Sequence, residues 1–384
     1  MTEQTPLEQE KIMQLIEEHG TPLYVYDLEK VKHNFSRLDK AISYNPHGIF
    51  YAVMANDNSQ VLKTIKELGG GVQVNSFHEL DIIYQVLFPN ERISFTSTGL
   101  DTWQLSYIIS EEMQVNLDSV EEVNKFCSGV DFSPKSKKFG IRLQMPNVYF
   151  NGRFSESDTG ISESDLELVK VNARNRGVKI NGVHGYSGSN IFDPEFLKRS
   201  ADYIARCARE FPGLEYVNFG GGFGVPDNFT QKPLNLEEVL GYYSELTAKL
   251  SRDLGRQVEL RIEPGRALVA NAGTLYTRVT NVKRVNTKDP EGKDQISVDC
   301  GFGEFARPRL YGVFHEIFAL GKEGNTRYCD VRGNTVLQDD YLTIDSSLPE
   351  VHEGDILGIR NVGAYGRVMA SGFPGKELPR EVCV

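Results

Sequence analysis

Between about residue 48 and residue 266 the chain repeats one local pattern eight times: a short β-rich run, then a segment with helical spacing. The β-rich runs are "IFYAVMA", "GVQVNSF", "RISFTST", "VNLDS", "KFGIRLQ", "INGVHGYSG", "YVNFGGGF" and "VELRIEPGR". Between them stand stretches such as "SQVLKTIKELG", "FHELDIIYQVL" and "DPEFLKRSADYIARCAREF", whose apolar residues fall on one helical face. Eight such units predict an α/β fold, a (β/α)8 TIM barrel over residues 28–267, with a doubly wound sheet as the alternative.

After Arg266 the pattern changes. "TLYTRVTNVKRV", "QISVDCGF", "TRYCDVRGNTV" and "DILGIRNVGAYG" read as strands separated by Gly, Asp and Pro turns, mostly without a long helix between them. This predicts an all-β C-terminal domain, sandwich- or barrel-like, built from residues 268–384 together with residues 1–27. At the N-terminus "MTEQTPLEQEKIMQLIEEHG" reads as an acidic amphipathic helix rather than a signal or transit peptide. The strand-like "TPLYVYDLEKV" that follows is a candidate to join the β domain.

Charge and cysteine usage narrow the function classes. The formal net charge of -11 argues against nucleic acid as a partner, because phosphate backbones need a basic surface. No apolar run reaches membrane-spanning length, so no membrane partner is expected. The five cysteines (Cys127, Cys207, Cys300, Cys329 and Cys383) are scattered without a CxxC pair, which predicts neither a disulfide framework nor a zinc site and fits a reducing cytoplasm. The seven histidines show no HExxH, so no metal is expected.

A barrel of this kind carries its chemistry at the C-terminal ends of its strands, and phosphate commonly binds the loops after strands seven and eight. Here strand seven runs into Gly220, Gly221 and Gly222, and strand eight into "EPGR", Glu263 to Arg266. Glycine in such loops lets backbone N–H groups approach phosphate oxygens closely, although a glycine run alone is also just a tight turn.

Across nearly its whole length the chain resembles the fold-type III pyridoxal-phosphate-dependent decarboxylases, the alanine-racemase-like group that includes diaminopimelate and ornithine decarboxylases. "FYAVMAN" resembles the family's YAVKAN, "NSFHEL" its strand-two motif, and "GVHGYSGSN" its HxHxGSQ segment. "GGGFG", "EPGR", "RPRLYG" and "NVGAYG" follow in order. The last third is most similar to the diaminopimelate-like branch, including relatives that serve siderophore and antibiotic pathways. The resemblance implies pyridoxal phosphate as cofactor, an amino-acid-type substrate, α-decarboxylation, and a homodimer whose partner helps to complete each site. It assigns the cofactor phosphate to Ser189, the Gly220–Gly222 and Gly265–Arg266 backbones and Tyr365. Glu263 is assigned to the pyridine nitrogen, where racemases of this fold place an arginine. Tyr186 falls where the family usually stacks a histidine on the cofactor ring, a role a tyrosine face can also fill. Arg307 and Tyr311 match residues that bind a second substrate carboxylate, and Asp340, matching the aspartate a few positions after the family's cysteine, is implied to bind substrate as well.

Two positions depart from the family pattern. Met54 stands where the family has the lysine that bonds covalently to the cofactor, and methionine has neither the nitrogen nor a titratable proton for that task. Val336 stands where the family has a cysteine that reaches the partner's site and helps with protonation. The implied reading is a decarboxylase-type protein crippled at residue 54. A non-catalytic cofactor-binding regulator is the alternative, and a racemase a distant third because of Glu263.

Overall fold

The computed structural model describes residues 6–129, 138–150, 152–227, 231–284 and 293–384. It resolves into two compact units, one formed by Val31–Val225 and Pro233–Leu268, the other by Met1–Lys30, Pro226–Lys232 and Val269–Val384. Pro226, inside the stretch read as barrel, clusters with the second unit, where Asn361 Nδ2 donates to its carbonyl at 3.0 Å.

The first unit is a closed barrel of eight parallel strands: His47–Ala52, Gly71–Val74, Ile93–Thr96, Gln114–Leu117, Lys138–Arg142, Lys179–His184, Tyr216–Asn218 and Glu259–Ile262. They coincide in order with the eight runs read from the sequence. Most are apolar and buried on both faces, as a sheet needs when side chains fill its interior and helices cover its outside. Polar side chains fix where the helices after these strands begin. Ser76 accepts from the Glu79 N–H, and the Glu79 carboxylate reaches back to the Asn75 N–H at 2.6 Å. The same geometry recurs after the fourth strand, where Ser119 receives the Glu122 N–H and Glu122 receives the Asp118 N–H. The serine and glutamate of "NSFHEL" therefore cap a barrel helix at the C-terminal end of its strand, the serine from the N-cap and the glutamate by holding the N–H of the residue before it. Burial raises both carboxyls, Glu79 and Glu122, above the usual range despite these bonds.

The second unit is a mixed sheet. Ile317–Ala319, Ile356–Ile359, Gly273–Lys283, Asp294–Val298, Thr326–Arg332 and Tyr341–Pro349 lie in that order. Leu23–Tyr26 pairs antiparallel with Gly273–Lys283 and parallel with Arg380–Cys383. The strand of "TPLYVYDLEKV" thus joins the β sheet. Helix Pro6–His19 lays Ile12 and Ile16 against Leu23, Val25 and Tyr276 of that sheet; Met1–Thr5, read as part of this helix, lie outside the described residues. A single helical turn, Arg307–Tyr311, interrupts the strands, started by Pro308 and stopped by Gly312 at φ +62°. No helix among the described residues is long and apolar enough to cross a membrane, and no group of three His, Cys, Asp or Glu among them is arranged to hold a metal.

Candidate active site

Strands six, seven and eight are neighbours, so the loops at their C-terminal ends are neighbours too. Backbone hydrogen bonds continue the pairing past the strands: Gly185 N–H to Asn218 O at 3.0 Å, Phe219 N–H to Arg261 O at 3.0 Å, and Glu263 N–H to Gly220 O at 2.8 Å. This closeness explains the glycines. A Cβ on Gly220 would strike the Gly185 carbonyl, one on Gly221 the Glu263 carbonyl, and one on Gly222 the Gly188 carbonyl. Among the described residues the N–H groups of Gly221, Gly222 and Gly265 donate to no protein acceptor. The Ser189 hydroxyl lies 3.4 Å from the Arg266 guanidinium on the same rim.

Glu263 is the buried acid of this rim. Its Oε1 accepts from Asn218 Nδ2 at 2.7 Å, and its Oε2 faces His184 Nε2 at 3.0 Å. His184 is the last residue of the sixth strand and Asn218 the last of the seventh, and the register pairs them directly. Two strand ends therefore aim one N–H-bearing side chain each at one carboxylate. Neither residue was singled out from the sequence. The available signal was a polar residue closing an otherwise apolar strand, and for His184 the first histidine of the HxHxGSQ-like segment.

Met54 sits in a single turn, Val53–Ala55, after the first strand, which the Ala52 N–H ties to the Pro264 carbonyl at 3.3 Å. Met54 is 47% exposed while Val53 and Ala55 are buried. Tyr186 is likewise partly open, on the loop after strand six. The barrel unit thus gathers Met54, Tyr186, Ser189, Gly220–Gly222, Glu263, Gly265 and Arg266 at one end. Side-chain-free N–H groups, a hydroxyl and a guanidinium suit a phosphate, and a carboxylate held from two sides suits a protonated ring nitrogen. These residues fit pyridoxal phosphate.

In the β unit Arg307 is 4% exposed, its guanidinium carbon 5.8 Å from the ring centres of both Tyr311 and Tyr365. Tyr365 holds a left-handed backbone, φ +58°, between Gly363 and Gly366, where added Cβ atoms would strike the Val269 and Val362 carbonyls. A tyrosine kept there at a cost of about 1–2 kcal/mol marks an over-determined loop. Asp340, the aspartate matched to the family's substrate-binding position, lies buried in the same unit. Its buried carboxylate already accepts from the Phe302 N–H at 2.8 Å and from the Thr335 N–H and hydroxyl at 3.0 and 2.5 Å. It organises the loop that carries Val336, which is 97% exposed.

Comparison with known proteins agrees with this chemistry. Residues 28–270 match the family model described as pyridoxal-dependent decarboxylase, pyridoxal binding domain. The chain is 30% identical to a diaminopimelate decarboxylase of Methanothermobacter thermautotrophicus, over 97% of this chain and 88% of that protein. A crystal structure of a diaminopimelate decarboxylase aligns at TM-score 0.90 and 26% identity, covering 100% of this chain and 93% of the other. A point mutant of the Helicobacter pylori diaminopimelate decarboxylase, solved with L-lysine, aligns at TM-score 0.87 and 25% identity, over 97% of this chain and 94% of the other. A closed barrel, a glycine rim facing a held carboxylate, and similarity along the full chain lead to one assignment: the chain belongs to the fold-type III pyridoxal-phosphate-dependent decarboxylases.

Proposed function

We propose that this chain is an amino-acid α-decarboxylase in design, for a substrate with a second carboxylate, and that Met54 cripples its turnover. The observation that carries the reading is Glu263, held at both oxygens beside the glycine rim. When bound, pyridoxal phosphate takes up the electron pair left behind as carbon dioxide departs. Glu263 keeps the proton on the ring nitrogen that makes this favourable, where an arginine would favour racemisation instead. The N–H groups of Gly221, Gly222 and Gly265, with Ser189 and Arg266, hold the phosphate; Tyr365 is assigned to it by resemblance. Tyr186 offers a ring face for stacking. Arg307, with Tyr311, takes the distal carboxylate through its planar fork.

Met54 has no nitrogen to join the cofactor and no proton to move. Val336 has no thiol to return one. A homodimer with shared sites belongs to this reading, and Val336, 97% exposed, suits a subunit contact. The resemblance of the last third to the diaminopimelate-like branch, which includes relatives serving siderophore and antibiotic pathways, extends the reading to an assembly role of that kind. The loss of both chemical groups also favours a second reading, a non-catalytic cofactor- or ligand-binding regulator.

Met54→Lys separates the two. Mixed with pyridoxal phosphate, the variant is expected to gain a visible absorption band that borohydride bleaches while fixing the cofactor to the chain, and to release carbon dioxide from amino diacids. A band without release isolates Val336 as a second block and favours the regulator. Absence of both band and bound cofactor refutes the site.

A further inference from the structure

We infer that His315 is a positioning residue that orients the Arg307 guanidinium and thereby sets the preference for diacids, an inference that rests on the reading of Arg307 as the carboxylate anchor. Arg307 opens a single helical turn, and its long side chain has many rotamers to lose. A buried guanidinium without fixed partners is costly, and a bidentate contact works only if the plane of the fork is set in advance. His315 provides that plane. It is buried on the segment that leads from the turn to strand Ile317–Ala319.

Its Nδ1 lies 2.9 Å from the Arg360 carbonyl, which can only accept, so Nδ1 carries the proton. Nε2 is then the lone-pair side, and it accepts the Arg307 Nε–H at 3.4 Å. The Phe305 ring stands edge-on to the imidazole at 4.8 Å and 76°, which stops the ring from turning away. Tyr311 and Tyr365 border the same guanidinium. At 3.4 Å the contact is longer than a strong hydrogen bond, so its contribution is direction more than attraction.

The test measures dissociation constants by calorimetry on the chain loaded with pyridoxal phosphate. The probes are glutarate, adipate and pimelate, each against the straight-chain monoacid of equal length. The native chain is expected to prefer at least one diacid, and Arg307→Ala to erase that preference. His315→Phe, which keeps a ring but loses both nitrogens, should reduce the preference by about five- to tenfold and leave monoacid binding unchanged. His315→Gln, with an acceptor near the place of Nε2, should restore it. His315→Asn, which can still donate to Arg360 but is too short for Arg307, should not. The Gln and Asn pair decides the matter should the Phe variant fail to fold. In an Arg307→Ala background His315→Phe should cause no further loss. If the native chain shows no diacid preference, or Arg307→Ala keeps it, the Arg307 reading fails. If Arg307→Ala erases it while His315→Phe and His315→Asn retain it, or if His315→Phe acts equally with and without Arg307, His315 is a packing residue and the inference alone fails.

Discussion

Glu263 shows how much a single carboxylate depends on what faces it. Asn218 and His184 are almost fully buried, and each presents an N–H to one of its oxygens. Glu263→Ala would leave both donors buried without that acceptor, which costs about 1–3 kcal/mol. Urea unfolding should show a loss of that size, and the variant should also release pyridoxal phosphate on dialysis. Glu263→Gln keeps an acceptor for one donor and should lose less stability. Met54 contrasts with it: a half-exposed side chain at the end of a buried strand can change with little effect on folding. Met54→Lys should therefore unfold within about 0.5 kcal/mol of the native chain while differing sharply in its visible spectrum.

The loops after strands six, seven and eight behave as one element, because carbonyls of one loop fill the space in front of glycines of the next. Gly221 needs no left-handed backbone; its requirement is space alone, next to the Glu263 carbonyl. Gly221→Ala must push the seventh and eighth loops apart, at about 1–3 kcal/mol. It should also weaken pyridoxal phosphate binding more than its effect on stability implies, since the displaced N–H groups are the phosphate donors. A fluorescence titration with the cofactor checks this. Unchanged affinity would remove the glycine rim from the phosphate site. The serine–glutamate caps at Ser76–Glu79 and Ser119–Glu122 serve the same end of the barrel, by fixing where two of its helices begin.

The barrel must also close as a whole, and its opposite end does this with charge. Glu215, just before strand seven, meets Lys138 of strand five and Lys179 and Asn181 of strand six. Burial pushes its carboxyl up, but the bonds from Asn181, Lys179 and Lys138 outweigh burial and bring it down to about 2. A carboxyl lowered on folding stabilises the native state above its ordinary pKa, near 4.5, and that contribution fades as the pH falls toward 2. Glu215→Gln should therefore be less stable than the native chain at pH 6, and the gap between their urea midpoints should narrow at pH 3. A gap that stays constant would show that the carboxylate charge does not hold these strands together.

Much of this was legible in advance because it is local. Strand and helix periods, the glycine run, "EPGR" and the Ser-x-x-Glu caps are short-range patterns, and each acts on its own backbone. The strands Ile317–Ala319, Tyr341–Pro349 and Arg380–Cys383 were not read, since short or half-exposed runs carry little period. His184 and Asn218 reach Glu263 across 79 and 45 residues of chain, and His315 becomes meaningful only through Arg360, 45 residues away. Asp340 matched a family position, but the donors its carboxylate receives, from Phe302 and Thr335, are set only by the fold. Residue order determined the repeating architecture, the glycine rim and the missing nitrogen at position 54, because those follow from neighbouring residues. Which side chain faces which acid, and which donors each carboxylate receives, were decided by folding, because a hydrogen bond depends on distance and direction in space, and only the folded chain sets these.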